Sequence, residues 1–112
     1  MVAHKLEREL KRGSAELLIL ALLEERRRHG YEIGQLIASR SDGAISFHVT
    51  SLYPTLYRLE DRGLIDAEWG ISPEGRKAKF YRLTDKGRAQ LAEERASWRA
   101  FAGAVEAVLK GT

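Results

Sequence analysis

The chain has 112 residues, 44% of them hydrophobic and 31% charged, with 19 Lys and Arg against 16 Asp and Glu, a net charge of +3 and no cysteine. That length suits one domain with one core, and the missing cysteines exclude disulfides, thiolate metal sites, iron–sulfur clusters and thiol nucleophiles, which points to a reducing, cytoplasmic setting. The longest apolar run, Leu17 to Leu23, is far short of the ~20 residues of a membrane span, and the first residues lack a signal peptide's apolar core, so no membrane partner is expected.

Leu6 to Arg28 favours helix, and Gly13-Ser14 divides it, ending one short helix and starting another with Ser14 as N-cap. The Leu17 to Leu23 run predicts a helix buried on most sides, closed by Glu24 to Arg28, whose cations reach solvent near its C-terminal dipole. His29-Gly30 breaks the pattern, and Tyr31, Ile33, Leu36 and Ile37 predict a second helix ending near Ser41-Asp42-Gly43. Ala44 to Val49 reads as extended, with a strand as one option. A third helix follows with Thr50 or Ser51 as N-cap, and Leu52, Leu56 and Leu59 recur at i, i+4, i+7. Pro54 requires this helix to begin close to Ser51, because only in the first turn does its missing N–H leave no carbonyl unpaired.

Gly63 fits a helix stop, Leu64 to Trp69 reads as a strand, and Lys79 to Leu83 as its partner across the Ser72-Pro73-Glu74-Gly75 turn. Thr84-Asp85 caps a last helix running to about Lys110, ~40 Å long at 1.5 Å per residue and too long for this core. Leu91, Trp98 and Val105 repeat every seven along it, with Phe101 and Val108 three residues after Trp98 and Val105, the spacing of a helix–helix seam that calls for a second subunit.

The expected fold is therefore mainly α with a two-stranded β wing: a winged helix-turn-helix at residues 1–83, including the N-terminal helix, plus a long C-terminal dimerisation helix at 84–112. The charge supports that reading. Gly75 to Arg82 holds four basic residues, two aromatics and no acid, and opposite its leucines the third helix presents Ser51, Thr55, Arg58 and Arg62. Hydroxyls and guanidinium groups near a helix N-terminus suit phosphates and base edges.

Ser51 to Ile65, reading SLYPTLYRLEDRGLI, resembles the signature recognition helix of the PadR-like transcriptional regulators, and His29 to Ile33 resembles their second-helix motif. Gly75-Arg76-Lys77, Phe80 to Thr84 and Lys86-Gly87-Arg88 are similar to their wing and the entry to their last helix. The resemblance spans Ser14 to Leu91. It implies a dimeric DNA-binding regulator, usually a repressor, in which the last helix, often with the first, builds the dimer. Some small members are similar around Ala96 to Arg99 and hold flat aromatic compounds between paired tryptophans; Trp98 matches that position, which implies a small aromatic effector at the dimer interface.

Each candidate also has a plainer reading. Arg76, Lys77 and Lys79 are either a solvated hairpin tip or phosphate and minor-groove contacts, and Tyr53 and Tyr57 are either core aromatics or phenols within reach of phosphate. Arg58 either pairs with Asp61 or Glu60 or meets DNA, and Trp98 is either packing or a ligand platform. His4, His29 and His48 lack metal-site spacing and read as solvated or packing residues. Ser51, Tyr53, Pro54, Thr55, Tyr57, Arg58, Arg76, Lys77 and Lys79 form the expected DNA-binding set; Leu91, Trp98, Phe101, Val105 and Val108 form the expected seam. No catalytic constellation, metal site or cofactor motif is found, so an enzyme is not expected. A winged-helix interaction module that joins an assembly without touching DNA is the alternative, and the basic wing is the feature it would not require.

Overall fold

The computed structural model describes the backbone of residues 2–111 and the side chains of residues 14–111. His4 lies outside the described side chains. The elements run α1 (Val2–Glu25), β1 (Arg28–His29), α2 (Gly30–Arg40), α3 (Val49–Asp61), β2 (Ile65–Ile71), β3 (Lys77–Leu83) and α4 (Asp85–Lys110). This is the expected winged helix-turn-helix with a long last helix. The core is built from Ile19, Leu20 and Leu23 of α1, Ile33 and Ile37 of α2, and Leu52, Leu56 and Leu59 of α3, closed by Ile65, Tyr81 and Leu91. The apolar run of α1 is central because α2, α3, β3 and α4 all pack against it.

Several expectations are corrected. α1 runs unbroken through Gly13-Ser14: a glycine costs a helix only about 1 kcal/mol relative to alanine, which a helix anchored by its buried half tolerates. The cations after it do not all reach solvent. Arg28 is 4% exposed, its Nε donating to the Leu22 carbonyl at 3.0 Å and its other nitrogens to Glu32 (2.8 Å) and Glu25 (2.6 Å). It thereby satisfies one of the carbonyls that the end of α1 leaves open. Arg28 and His29 also form a third strand, pairing with Tyr81 and Phe80, so the sheet is antiparallel in the order β1-β3-β2. Two residues are too few to show an alternating pattern. Residues 44–48 form no strand; Ser41 Oγ, accepting from Ile45 N at 3.0 Å, holds this connection as a turn.

The histidines do more than pack. His29 Nδ1 accepts from Glu32 N at 3.2 Å and caps α2, and its ring meets Phe80 edge-on with centroids 5.4 Å apart. His48 Nδ1 accepts from Thr50 N at 3.3 Å and caps α3. α3 therefore begins at Val49, earlier than expected, and Pro54 lies past its first turn, where it leaves the Thr50 carbonyl without its helical donor. The burial of Leu52, Leu56 and Leu59 outweighs that loss. At the other end, Gly63 adopts φ 75°, and Gly63 N and Leu64 N reach back to the Glu60 and Leu59 carbonyls, which turns the chain sharply into β2.

α4 grows directly out of β3. Thr84 Oγ1 donates to the Gly63 and Leu64 carbonyls (2.7 and 3.0 Å) and accepts from Gly87 N at 3.0 Å. Leu91 is 1% exposed and belongs to the core of its own subunit, so it is not part of an exposed seam. Arg95 still reaches Glu24 of α1 at 3.0 Å. Beyond it α4 leaves the core, and Trp98, Phe101, Val108 and Leu109 are exposed.

Two outcomes follow from this packing. A Cβ at Gly87 would lie 2.1 Å from the Leu64 carbonyl oxygen, so Gly87→Ala is expected to destabilise the fold by about 1–3 kcal/mol in urea unfolding. Glu25 is held down to about 2 by the hydrogen bond from Arg40, with Arg28 adding to it. A carboxyl that is a stronger acid when folded stabilises fully above the ordinary glutamate range and loses that contribution as pH falls through its folded value. The gap in melting temperature between the native chain and Glu25→Gln is therefore expected to narrow between about pH 6 and about pH 2.

Candidate nucleic-acid interface

With Leu52, Leu56 and Leu59 turned into the core, the exposed stripe of α3 is Thr50, Ser51, Pro54, Tyr57, Arg58 and Asp61. Four of the expected contact residues, Ser51, Pro54, Tyr57 and Arg58, lie on it. Thr55 does not. It is 6% exposed, donates to the Ser51 carbonyl at 3.0 Å and accepts from the Arg58 guanidinium at 3.0 Å. Its place one turn after Ser51 suggested the polar face, but helical geometry sets it against Leu52 and Leu59. Thr55 therefore steers Arg58. Arg62, also read onto this face, is drawn away to Glu16 of α1 at 3.0 Å.

The tyrosines divide between their two readings. Tyr53 is half-buried against the core, its ring closed over Gly30 with no space for a side chain there, while Tyr57 is 51% exposed. Their rings stand 6.3 Å apart at 46°. A phenol facing solvent with its ring side supported is an amphipathic contact of the kind favoured at interfaces.

The wing lies beside this stripe. Ser72 makes its turn, with Ser72 N donating to the Arg76 carbonyl at 2.8 Å and Arg76 N to Ser72 Oγ at 3.2 Å. Arg76 and Lys77 are exposed at the tip. Lys79 is not at the tip. It is half-buried, 3.4 Å from Glu60 of α3, and its ammonium stands over the Tyr57 and Tyr81 rings at 5.6 and 5.8 Å. Lys79 thus ties the wing to α3, an exposed-edge ion pair of small energy but clear geometry. Beneath it Tyr81 is 1% exposed, and burial, followed by the fields of Tyr57 and Glu60, pushes its hydroxyl up to about 12. Tyr81 stays neutral there.

Outside α4, the described cations away from this face are paired with carboxylates. Arg27, Arg28, Arg40, Arg62 and Arg82 each hold a carboxylate. Among the described residues, Arg58, Arg76 and Lys77 hold none, as is also true of Lys86, Arg88, Arg99 and Lys110 on α4, and the only oxygen that Arg58 engages is the neutral one of Thr55. Thr50 and His48, both exposed, lie at the N-terminal end of the same face; their sequence readings are a cap for Thr50 and a solvated or packing side chain for His48. As a sequence signal, Pro54 points away from them, because it places the helix start near Ser51 when His48 is the cap. Among the described residues no group of His, Asp or Glu is arranged to hold a metal ion, and no helix is long and apolar enough to cross a membrane.

Residues 19–93 match the Transcriptional regulator PadR-like family. The chain is 39% identical over 88 residues to a transcriptional regulator of Mycobacterium tuberculosis, covering 79% of this chain and 78% of that protein. It is similar to the solved structure of a PadR family transcriptional regulator from Eggerthella lenta, with 32% identity and a TM-score of 0.78 over 99% of this chain and 95% of that one. It is also similar to a PadR-like transcriptional regulator from Bacillus cereus, with 31% identity and a TM-score of 0.81 over 93% of this chain and 99% of that one. The chain belongs to the PadR-like family and is a winged-helix transcriptional regulator.

Proposed function

We propose that this regulator is a sequence-specific repressor that binds double-stranded DNA in the cytoplasm as a homodimer, with residues 1–83 as the DNA-binding part and 84–112 as the dimerisation helix. The first turns of that helix, through Leu91, serve both parts. The observation that carries the reading is the shared face of α3 and the wing, where Arg58, Arg76 and Lys77 stand without carboxylates beside Tyr57 and the hydroxyls of Thr50 and Ser51. α3 enters the major groove, the wing rests on the neighbouring backbone, and the operator is a pseudo-palindrome with half-sites one or two helical turns apart. A winged-helix module that binds only protein would have no use for three unneutralised cations on this one face.

The seam along α4 is Trp98, Phe101, Val105 and Val108, extended by Leu109 and no longer including Leu91. Phe101, Val105, Val108 and Leu109 line a shallow depression whose only other contributor is Ala104. An apolar stripe of this length on one helix suits a copy of itself. Trp98 and Phe101, 6.3 Å apart with rings tilted at 42°, give a flat aromatic effector a surface to stack on within that seam.

Selection from random duplexes is expected to enrich a palindrome; failure to enrich any would favour the protein-interaction module. On the selected site, Arg76→Ala with Lys77→Ala is expected to weaken binding to all sequences and to reduce the slope of log affinity against log salt by about two. Unchanged affinity in anisotropy titrations would remove the wing from the interface. Light scattering at micromolar concentration is expected to give the mass of two chains, and Phe101→Glu with Val108→Glu to give the mass of one. A native chain that is already monomeric would refute the seam.

A further inference from the structure

β2 is an edge strand with two unlike faces. On one, Asp66 meets Arg82 at 3.3 Å and Glu68 meets Arg27 at 2.6 Å, so its acids are neutralised within the subunit. On the other stand Trp69 and Ile71, 64% and 67% exposed, whose cross-strand partners are Lys79 and Lys77. Directly paired residues project to the same side of a sheet, and Lys79 reaches Glu60 and the Tyr57 ring, so this second face is turned toward α3. The Lys77 ammonium stands 5.2 Å from the centre of the Trp69 ring. The distal half of the wing thus presents to α3's side a broad apolar surface with an ammonium held over it, and every carboxylate of β2 lies on the reverse.

Such a pair on an open sheet edge invites unwanted association and is ordinarily replaced by polar residues. An exposed apolar pair with an ammonium over it suits an occupant that is apolar and anionic in alternation. The sugar–phosphate backbone of duplex DNA has that character: each deoxyribose offers a C–H surface between two phosphates. We propose that Trp69, with Ile71 beside it, packs on deoxyribose carbons of the strand lying between α3 and the wing, while Lys77 meets the adjoining phosphate. The inference rests on the DNA-binding reading above and adds to it a contact that is neither ionic nor sequence-reading.

That combination has its own signature. A sugar contact carries no base information, and it neutralises no phosphate, so it leaves the salt slope alone. Trp69→Ala is expected to weaken binding about tenfold, to do so equally on the selected palindrome and on unrelated duplex, and to keep the native salt slope. Ile71→Ala is expected to show a smaller loss of the same kind, and Lys77→Ala is expected to lower the slope by about one. The exposed position of Trp69 predicts an unchanged unfolding midpoint for Trp69→Ala, measured on the same preparation. Full affinity in Trp69→Ala, a loss confined to particular sequences, or a reduced slope in Trp69→Ala would each overturn the proposal. If the native chain binds no duplex at all, the DNA-binding reading fails and takes this contact with it; if the native chain binds and Trp69→Ala binds equally well, only the sugar contact is refuted.

Discussion

The placement of α2 and of the wing against α1 depends on one buried cation. Arg28 sits where α1 has ended and α2 has not begun, and its guanidinium joins the Leu22 carbonyl, Glu25 and Glu32. Glu25 in turn holds Arg40 at the far end of α2 with a two-pronged contact at 2.8 and 2.9 Å, and Glu32 also holds Arg26. A buried guanidinium deprived of a partner is expensive, so the three segments are held in a single arrangement. Because Arg28 is simultaneously half of β1, the same residue presents the chain to Tyr81 and Phe80 and sets the wing against the helix pair.

A second junction lies at Thr84. Its hydroxyl and backbone connect the loop after α3 to the first turn of α4, and the close contact of Gly87 with the Leu64 carbonyl leaves no slack between them. The end of the α3 loop, the start of β2 and the root of α4 therefore move together. The root of α4 is joined to the wing by packed backbone and not by a flexible linker.

On the shared face of α3 and the wing, the exposed polar side chains are arranged by groups that do not themselves reach out. Thr55 steers Arg58, Gly30 receives Tyr53, and Lys79 braces the wing against Glu60 and Tyr57. Tyr57 and Arg58 are then presented from packed supports, which lowers the ordering cost of forming an interface.

The element order, the leucine spacing of α3, the Gly63 stop and the Thr84 cap were legible in the sequence because each depends on residues within one helical turn or one hairpin. So was the basic wing, since charge segregation over a few residues needs no partner. Which members of α3 face outward was legible only in part: Thr55 and Arg62 follow the polar spacing, yet each is captured by a group whose position depends on the fold. The division of α4 was likewise hidden, because Leu91 and Trp98 share one heptad position and differ only in whether the core reaches that far. The sequence by itself determined a small winged helix with a basic wing and a last helix longer than its core. Only the tertiary structure decided that Arg28 is buried, that a third strand forms, that Lys79 is a brace and that Trp69 and Ile71 share the face of the cations. Each of these rests on contacts between residues distant in the chain or on which side of a strand faces a helix, and neither is written in local spacing.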